Sequence, residues 1–127
     1  MSTKELIFEG NEKKIFATDD PQVVLIRYKD VATAFGGIKQ AVLKDKGIYC
    51  NRISSMVFER LEAGGVRTHY VSLADDRGQY CRKVGLIPLQ VIVRNRLAGT
   101  TARLLGVPSG TSIPNVGFEL RYNNDAL

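Results

Sequence analysis

The chain has little of what most catalytic and metal chemistry requires. Its 127 residues hold two cysteines and one histidine. Cys50 and Cys81 lack metal-like spacing and read as reduced thiols of a cytoplasmic protein. His69 lies in an alternating, strand-like pattern that suits a structural role. No serine or cysteine has a histidine partner nearby in sequence, so a nucleophilic hydrolase finds no support. Asp75-Asp76 sits in a turn and does not suggest two-carboxylate catalysis. There is no Walker sequence: Gly106 to Ser112 has the glycines and hydroxyls but no lysine. No Gly-x-Gly-x-x-Gly follows a strand, and no repeat or low-complexity segment is visible. No apolar run is long enough to span a membrane. The charged start, Met1 to Glu12, lacks an apolar signal core and argues against secretion.

What is present is an ordinary globular composition with a net charge of +5. The length fits one domain, or one modest domain with an extension. The positive balance favours anionic partners such as nucleotides or phosphorylated metabolites. Lys39, Lys44 and Lys46 form the one loose cluster, and aromatics do not interleave with basic residues. A nucleic-acid binder therefore rests on charge alone.

The pattern predicts an α+β chain with a largely antiparallel sheet and one main helix. Leu6 to Glu9 and Lys14 to Ala17 read as strands joined by the turn Gly10 to Lys13. Val23 to Tyr28 reads as a covered strand, and Lys29 to Gly47 as irregular, with a loop at Ala32 to Gly37. Ile48 to Ala63 is the clearest helix, with Ile53, Met56, Val57 and Leu61 expected on its core face. Strands follow at Thr68 to Leu73, Gln79 to Val84 and Leu89 to Arg94. Thr100 to Leu105 reads as a short helix, Gly110 to Val116 as a loop and Phe118 to Tyr122 as a last strand.

Two stretches suit an anionic ligand. In Val91 to Thr101 a buried strand ends in Arg94 and Arg96, and a small-residue turn leads into a helix. Arginine offers a planar fork for phosphate or carboxylate, and a helix N-terminus offers unpaired N–H groups. The same pattern also fits solvated arginines on a strand-turn-helix. The turn Gly10 to Lys14 could lie over phosphates as a glycine-rich loop, or be an ordinary exposed hairpin.

These residues together resemble the N-terminal part of the SAICAR synthetase family. Glu9-Gly10-Asn11-Glu12-Lys13-Lys14 is similar to the family's opening Glu-Gly-Lys-x-Lys hairpin. Tyr28 to Phe35 is similar to its Asp-x-x-Thr-Ala-Phe segment, and Asn51-Arg52-Ile53-Ser54-Ser55 to the start of its first helix. Pro88 to Arg96, continuing into Ala98-Gly99-Thr100, resembles its most recognisable motif, and Asn124-Asp125-Ala126 a later one. The likeness runs in order from about residue 5 to the last residue.

The resemblance implies ATP-dependent joining of L-aspartate to a phosphoribosyl aminoimidazole carboxylate, through an acyl phosphate and with Mg2+. It implies Gly10 and Lys13 over the ATP phosphates, Lys83 near the nucleotide and Leu86 at the adenine edge. Arg94 and Thr100 would hold the ribose phosphate. Residues 1–88 would form an ATP-covering lobe and residues 89–127 the start of a substrate-binding lobe. Family members continue for roughly as long again, and that part carries the magnesium ligands. A homo-oligomer or a complementing chain is the implied assembly. The family commonly has lysine at Asn11, aspartate at Val31, asparagine or aspartate at Gly36, asparagine at Cys50 and glutamate at Gln90. Each difference removes a charge or a polar handle, which keeps open a non-catalytic nucleotide- or phosphometabolite-binding protein on the same scaffold.

Overall fold

The computed structural model describes residues 5–34 and 38–122. Phe35, Gly36 and Gly37 of the expected loop, and Asn124-Asp125-Ala126 of the resemblance, lie outside the described residues. The chain divides into two compact units, Met1–Val84 and Gly85–Leu127.

The first unit is built on an antiparallel sheet of five strands in the order β1-β2-β3-β7-β6. These are β1 (Leu6–Glu9), β2 (Lys13–Ala17), β3 (Val23–Tyr28), β6 (Tyr70–Asp75) and β7 (Gly78–Arg82). Residues opposite each other share a face, so the register aligns Ile15 with Ile26 and Val24 with Cys81. That face carries the small apolar core of Val24, Ile26 and Cys81, with Ile15 and Tyr28 against it. Burial pushes the Cys81 thiol up to about 11. Leu25, 2% exposed, is buried from the opposite face. The segment expected to be irregular instead forms a hairpin of β4 (Val31–Ala34) and β5 (Lys39–Val42). Its alternation is hidden because both strands are exposed or half-exposed, so no apolar face marks the period.

Helix α1 (Lys46–Ala63) packs on β3, β6 and β7. The expected core face is wrong: Ile53 is 62% and Met56 68% exposed, and Val57 and Leu61 are exposed as well. The face turned to the sheet carries Gly47, Asn51 and Ser55. The reason is polar satisfaction. Asn51 is fully buried, and its amide donates to the carbonyls of Asp75, Asp76 and Gly78. Tyr28 donates to Ser54 at 3.0 Å, and Gln79 donates to Tyr28 at 3.2 Å. Phe58, on the same side, meets His69 edge-on and stacks on Tyr70. His69 is thus a packed side chain, and its burial, then the charge of Lys13, lowers its pKa. Sheet carbonyls and hydroxyls outrank four methyl-rich side chains because a buried unpaired polar group costs more than an exposed apolar one gains.

The start of α1 is held from elsewhere. Asp30 accepts the Gly47 N–H at 2.8 Å and the Asp45 N–H at 3.3 Å. Arg77 donates to both Asp30 and Asp45. Arg77, and then the Gly47 N–H, hold the Asp30 carboxyl below the usual range. Gly47 is required there, since a Cβ would lie 2.7 Å from the Tyr28 carbonyl oxygen.

The second unit is a two-stranded ribbon of β8 (Leu89–Leu97) and β9 (Thr111–Tyr122), with the short helix α2 (Gly99–Leu104) between them. β8 does not stop at its arginines, and β9 includes the stretch expected as a loop. Pairing runs to Arg94 opposite Gly117 and resumes at Arg96 opposite Ser112, so Pro114 falls in a bulge where its missing N–H is tolerated. Leu89, Val91, Val93, Phe118, Leu120 and Tyr122 share one face of the ribbon and are all exposed.

Candidate functional site

In the first unit a cavity of about 250 Å³ opens where β1, β2 and β3 converge. Ile7, Ala17, Val23 and Val24 line its apolar part, with Thr18, Asp20 and Lys83 at its polar part. Lys83 is fixed there by its own N–H, which donates to the Gln22 carbonyl at 2.7 Å. Ala17 and Val24 stand opposite each other on the face that also carries Lys13 and Tyr28. From Ala17, β2 runs back to Lys13 at the β1–β2 turn, a span of about 13 Å at the usual rise per residue. An apolar groove and a glycine turn therefore lie at the two ends of one strand.

The turn differs in detail from the expected phosphate loop. The Gly10 N–H is taken by the Lys13 carbonyl at 2.9 Å. Among the described residues, the N–H groups of Asn11 and Glu12 make no backbone bond. The donors at the tip are therefore Asn11 and Glu12, and Gly10 contributes the tight turn. A Cβ on Gly10 would sit 3.1 Å from the Phe8 ring. The Lys13 ammonium lies 6.0 Å from the centre of the Tyr28 ring, which holds it on the helix side of the sheet.

A carboxylate the sequence reading passed over anchors this turn. Glu9 accepts from Lys29 at 2.7 Å and pairs with Lys14 at 3.2 Å, while Lys29 also donates to the Gly10 carbonyl at 3.3 Å. Lys29, then Lys14, hold the Glu9 carboxyl below its usual range. A carboxyl with a lowered folded pKa stabilises the turn above the ordinary carboxylate range and loses that effect as pH falls through the lowered value. The protection factor of the Gly10 amide, which donates across the turn, is therefore expected to hold through neutral pH and to fall in acid. Lys29→Met should lower that protection factor several-fold at neutral pH, with little change in global stability because the pair is exposed. Identical exchange in wild type and variant would remove the tether from the account.

The sequence-predicted residues divide between the units. Gly10, Lys13 and Lys83 belong to the first. Leu86 belongs to the second and is 93% exposed. Arg94 and Thr100 also lie in the second unit. Arg94 Nε donates to Glu119 at 3.4 Å, and Thr100 Oγ1 accepts from Arg103 at 3.2 Å. Helix α2 begins at Gly99 after Ala98, with no side-chain cap, so Thr100 is its second residue and not its start. Arg96 donates to the Gly110 carbonyl and so braces the end of the ribbon. Asp30 and Asn51, prominent in two of the motifs, prove to be anchors of α1, which sequence spacing alone could not reveal. Among the described residues no group of three or more His, Cys, Asp or Glu side chains could hold a metal. No helix among them is long and apolar enough to cross a membrane.

The family model described as SAICAR synthetase matches residues 6–127. A phosphoribosylaminoimidazole-succinocarboxamide synthase of Clostridium acetobutylicum is 49% identical over all 127 residues, which cover 54% of its length. One from Clostridium botulinum strain Loch Maree is 47% identical over the same span, again 54% of its length. The chain thus spans about half the length of the curated relatives it matches. The crystal structure of the Ehrlichia chaffeensis synthase superposes with a TM-score of 0.88 at 39% identity, over 95% of this chain and 51% of that one. A SAICAR synthetase structure in complex with ADP gives 0.87 at 37% identity, over 95% and 51%.

Proposed function

The chain belongs to the SAICAR synthetase family, and from that membership we propose that it serves the family's ligation in purine biosynthesis, in the cytoplasm. The reaction is the ATP-dependent coupling of L-aspartate to carboxyaminoimidazole ribonucleotide, giving SAICAR. The observation that carries this reading is the pairing of groove and turn at the two ends of β2. The groove of Ile7, Ala17 and Val24 takes the adenine, with Lys83 beside it. The Asn11 and Glu12 N–H groups and the Lys13 ammonium, one β2 length away, hold phosphate oxygens. The ADP held by the similar structure supports nucleotide binding here. In the second unit, Arg94 with Thr100 takes the ribose phosphate of the second substrate. Magnesium would neutralise developing charge in such a transfer, and the described residues offer it no cluster of ligands. The exposed apolar face of the ribbon favours a homo-oligomer or a complementing chain as its cover.

Gln90 favours a second reading, a binding protein without chemistry, because an amide cannot supply the charge of the family's glutamate. Two measurements separate the readings. Calorimetry with ADP is expected to show saturable binding that Lys13→Ala weakens by about tenfold. ADP release with ATP, aspartate and the imidazole ribonucleotide then tests the chemistry. Release establishes the ligase reading, binding without release the second one, and no binding of either ligand overturns both.

A further inference from the structure

On the polar face of the ribbon, Gln90 stands opposite Arg121, Ile92 opposite Glu119 and Arg94 opposite Gly117. The Glu119 carboxylate accepts from Arg94 Nε through one oxygen and from Arg121 Nε, at 2.5 Å, through the other. Arginine–carboxylate pairs are frequently bidentate, through two parallel N–H groups. Here each guanidinium group meets the carboxylate through Nε alone. Among the described residues the two Nη groups of Arg94 make no bond, and Arg121 uses only Nη2, which donates to Thr101 Oγ1 at 3.2 Å. One carboxylate against two guanidinium groups leaves one net positive charge on this face. A glutamate at Gln90, opposite Arg121, would cancel it.

We propose that Glu119 joins Arg94 and Arg121 into one phosphate-holding surface, in which Arg121 is a second anion-binding arginine and Gln90 preserves the positive charge. The assignment rests on the reading of Arg94 as the ribose-phosphate residue and extends it. Glu119 is the positioning residue. It lets two like charges stand side by side, turns their Nε edges inward and leaves Nη donors for a ligand oxygen. Thr101 holds the far end of Arg121, so the hydroxyl tied to this face is Thr101 and not Thr100. A phosphate monoester, with up to two negative charges and three acceptor oxygens, matches donors drawn from two forks. The Coulomb attraction is partly screened at this half-exposed site, so binding should weaken with salt.

The probe is ribose 5-phosphate, with ribose as the uncharged control, titrated calorimetrically into the full chain. Arg94→Gln and Arg121→Gln are each expected to weaken ribose 5-phosphate by about ten- to a hundredfold. Gln90→Glu should weaken it by about tenfold while keeping side-chain size, which preserves a decisive variant should Arg121→Gln fail to fold. Glu119→Gln removes a negative charge and yet should weaken ribose 5-phosphate, by less than either arginine variant, whereas a carboxylate that acted only through its charge would give tighter binding when neutralised. ADP binding should be unchanged in all four, because it reads the first unit. Loss of binding in Arg94→Gln with none in Arg121→Gln and Gln90→Glu overturns the proposal and leaves the Arg94 reading standing. No binding of ribose 5-phosphate by the wild-type chain overturns both.

Discussion

Ala17→Phe is expected to leave the first unit folded and to cost a hundredfold or more in ADP affinity. Ala17 is half-buried at the end of β2, opposite Val24, and faces the 250 Å³ groove. Phenylalanine is well tolerated in strands. The added ring has the groove to enter, so the backbone need not move, but it occupies the space assigned to the base. The phosphate donors at the other end of β2 are untouched. A hundredfold loss corresponds to about 2.7 kcal/mol, the scale on which burial of one flat ring contributes. Calorimetry with ADP checks it, and Ala17→Ser, which adds one small atom, should bind nearly as wild type. Unchanged ADP binding by a folded Ala17→Phe chain would place the base elsewhere.

The second large effect is on stability. Asn51→Leu is expected to destabilise the first unit by about 3 kcal/mol, which lowers its melting temperature by roughly 15 °C. The two side chains are similar in size, so no large cavity opens. What is lost is the donor to three carbonyls, at 3.0, 3.1 and 3.2 Å. In exchange Asn51 Oδ1, which has no protein partner among the described residues, is removed, and this offsets part of the cost. Ile53→Gln, two residues on and facing outward, is expected to change stability by no more than about 0.5 kcal/mol. Thermal unfolding of the pair reads the orientation of the helix directly. A reversed order, with Ile53→Gln the more damaging, would mean that α1 presents its other side to the sheet.

That reversal is where the sequence was least legible. Strands β1 and β3 and the antiparallel α+β class could be read because apolar runs and turn residues bound them sharply. The helix was also legible as a helix, but its orientation was not. Periodicity places Ile53, Met56, Val57 and Leu61 on one side and says nothing about what the sheet offers. The sheet offers the carbonyls of a β-turn and the hydroxyl of Tyr28, so Asn51 and Ser54 turn inward. The β4–β5 hairpin and the first half of β9 were missed for a related reason: neither has a dry side, and Pro114 and Gly117 look like turn residues until the bulge is seen. Of the residues proposed for the two sites, Lys13 and Arg94 could be picked out as donor-bearing types in a familiar order. Glu9, Glu119 and Arg121 could not, since ion pairs between partners as far apart as Lys29 and Glu9 leave no trace in local spacing.

The anchoring of α1 also sets an order of events during synthesis. Asp30 precedes the helix, but Arg77, which locks Asp30 and Asp45 together, is 47 residues beyond the first and 32 beyond the second. The carbonyls that satisfy Asn51 lie 24 to 27 residues later. A growing chain that has finished α1 therefore holds a helix whose Asn51 still lacks its carbonyls and whose apolar side faces water. Contacts this distant in sequence close slowly, since the loop entropy is lost before any bond is gained. The first unit thus completes itself from its C-terminal end: β6 and β7 must emerge and pair before α1 can seat. The row of Ile53, Met56 and Val57 stays open before and after that step, because it faces away from the sheet.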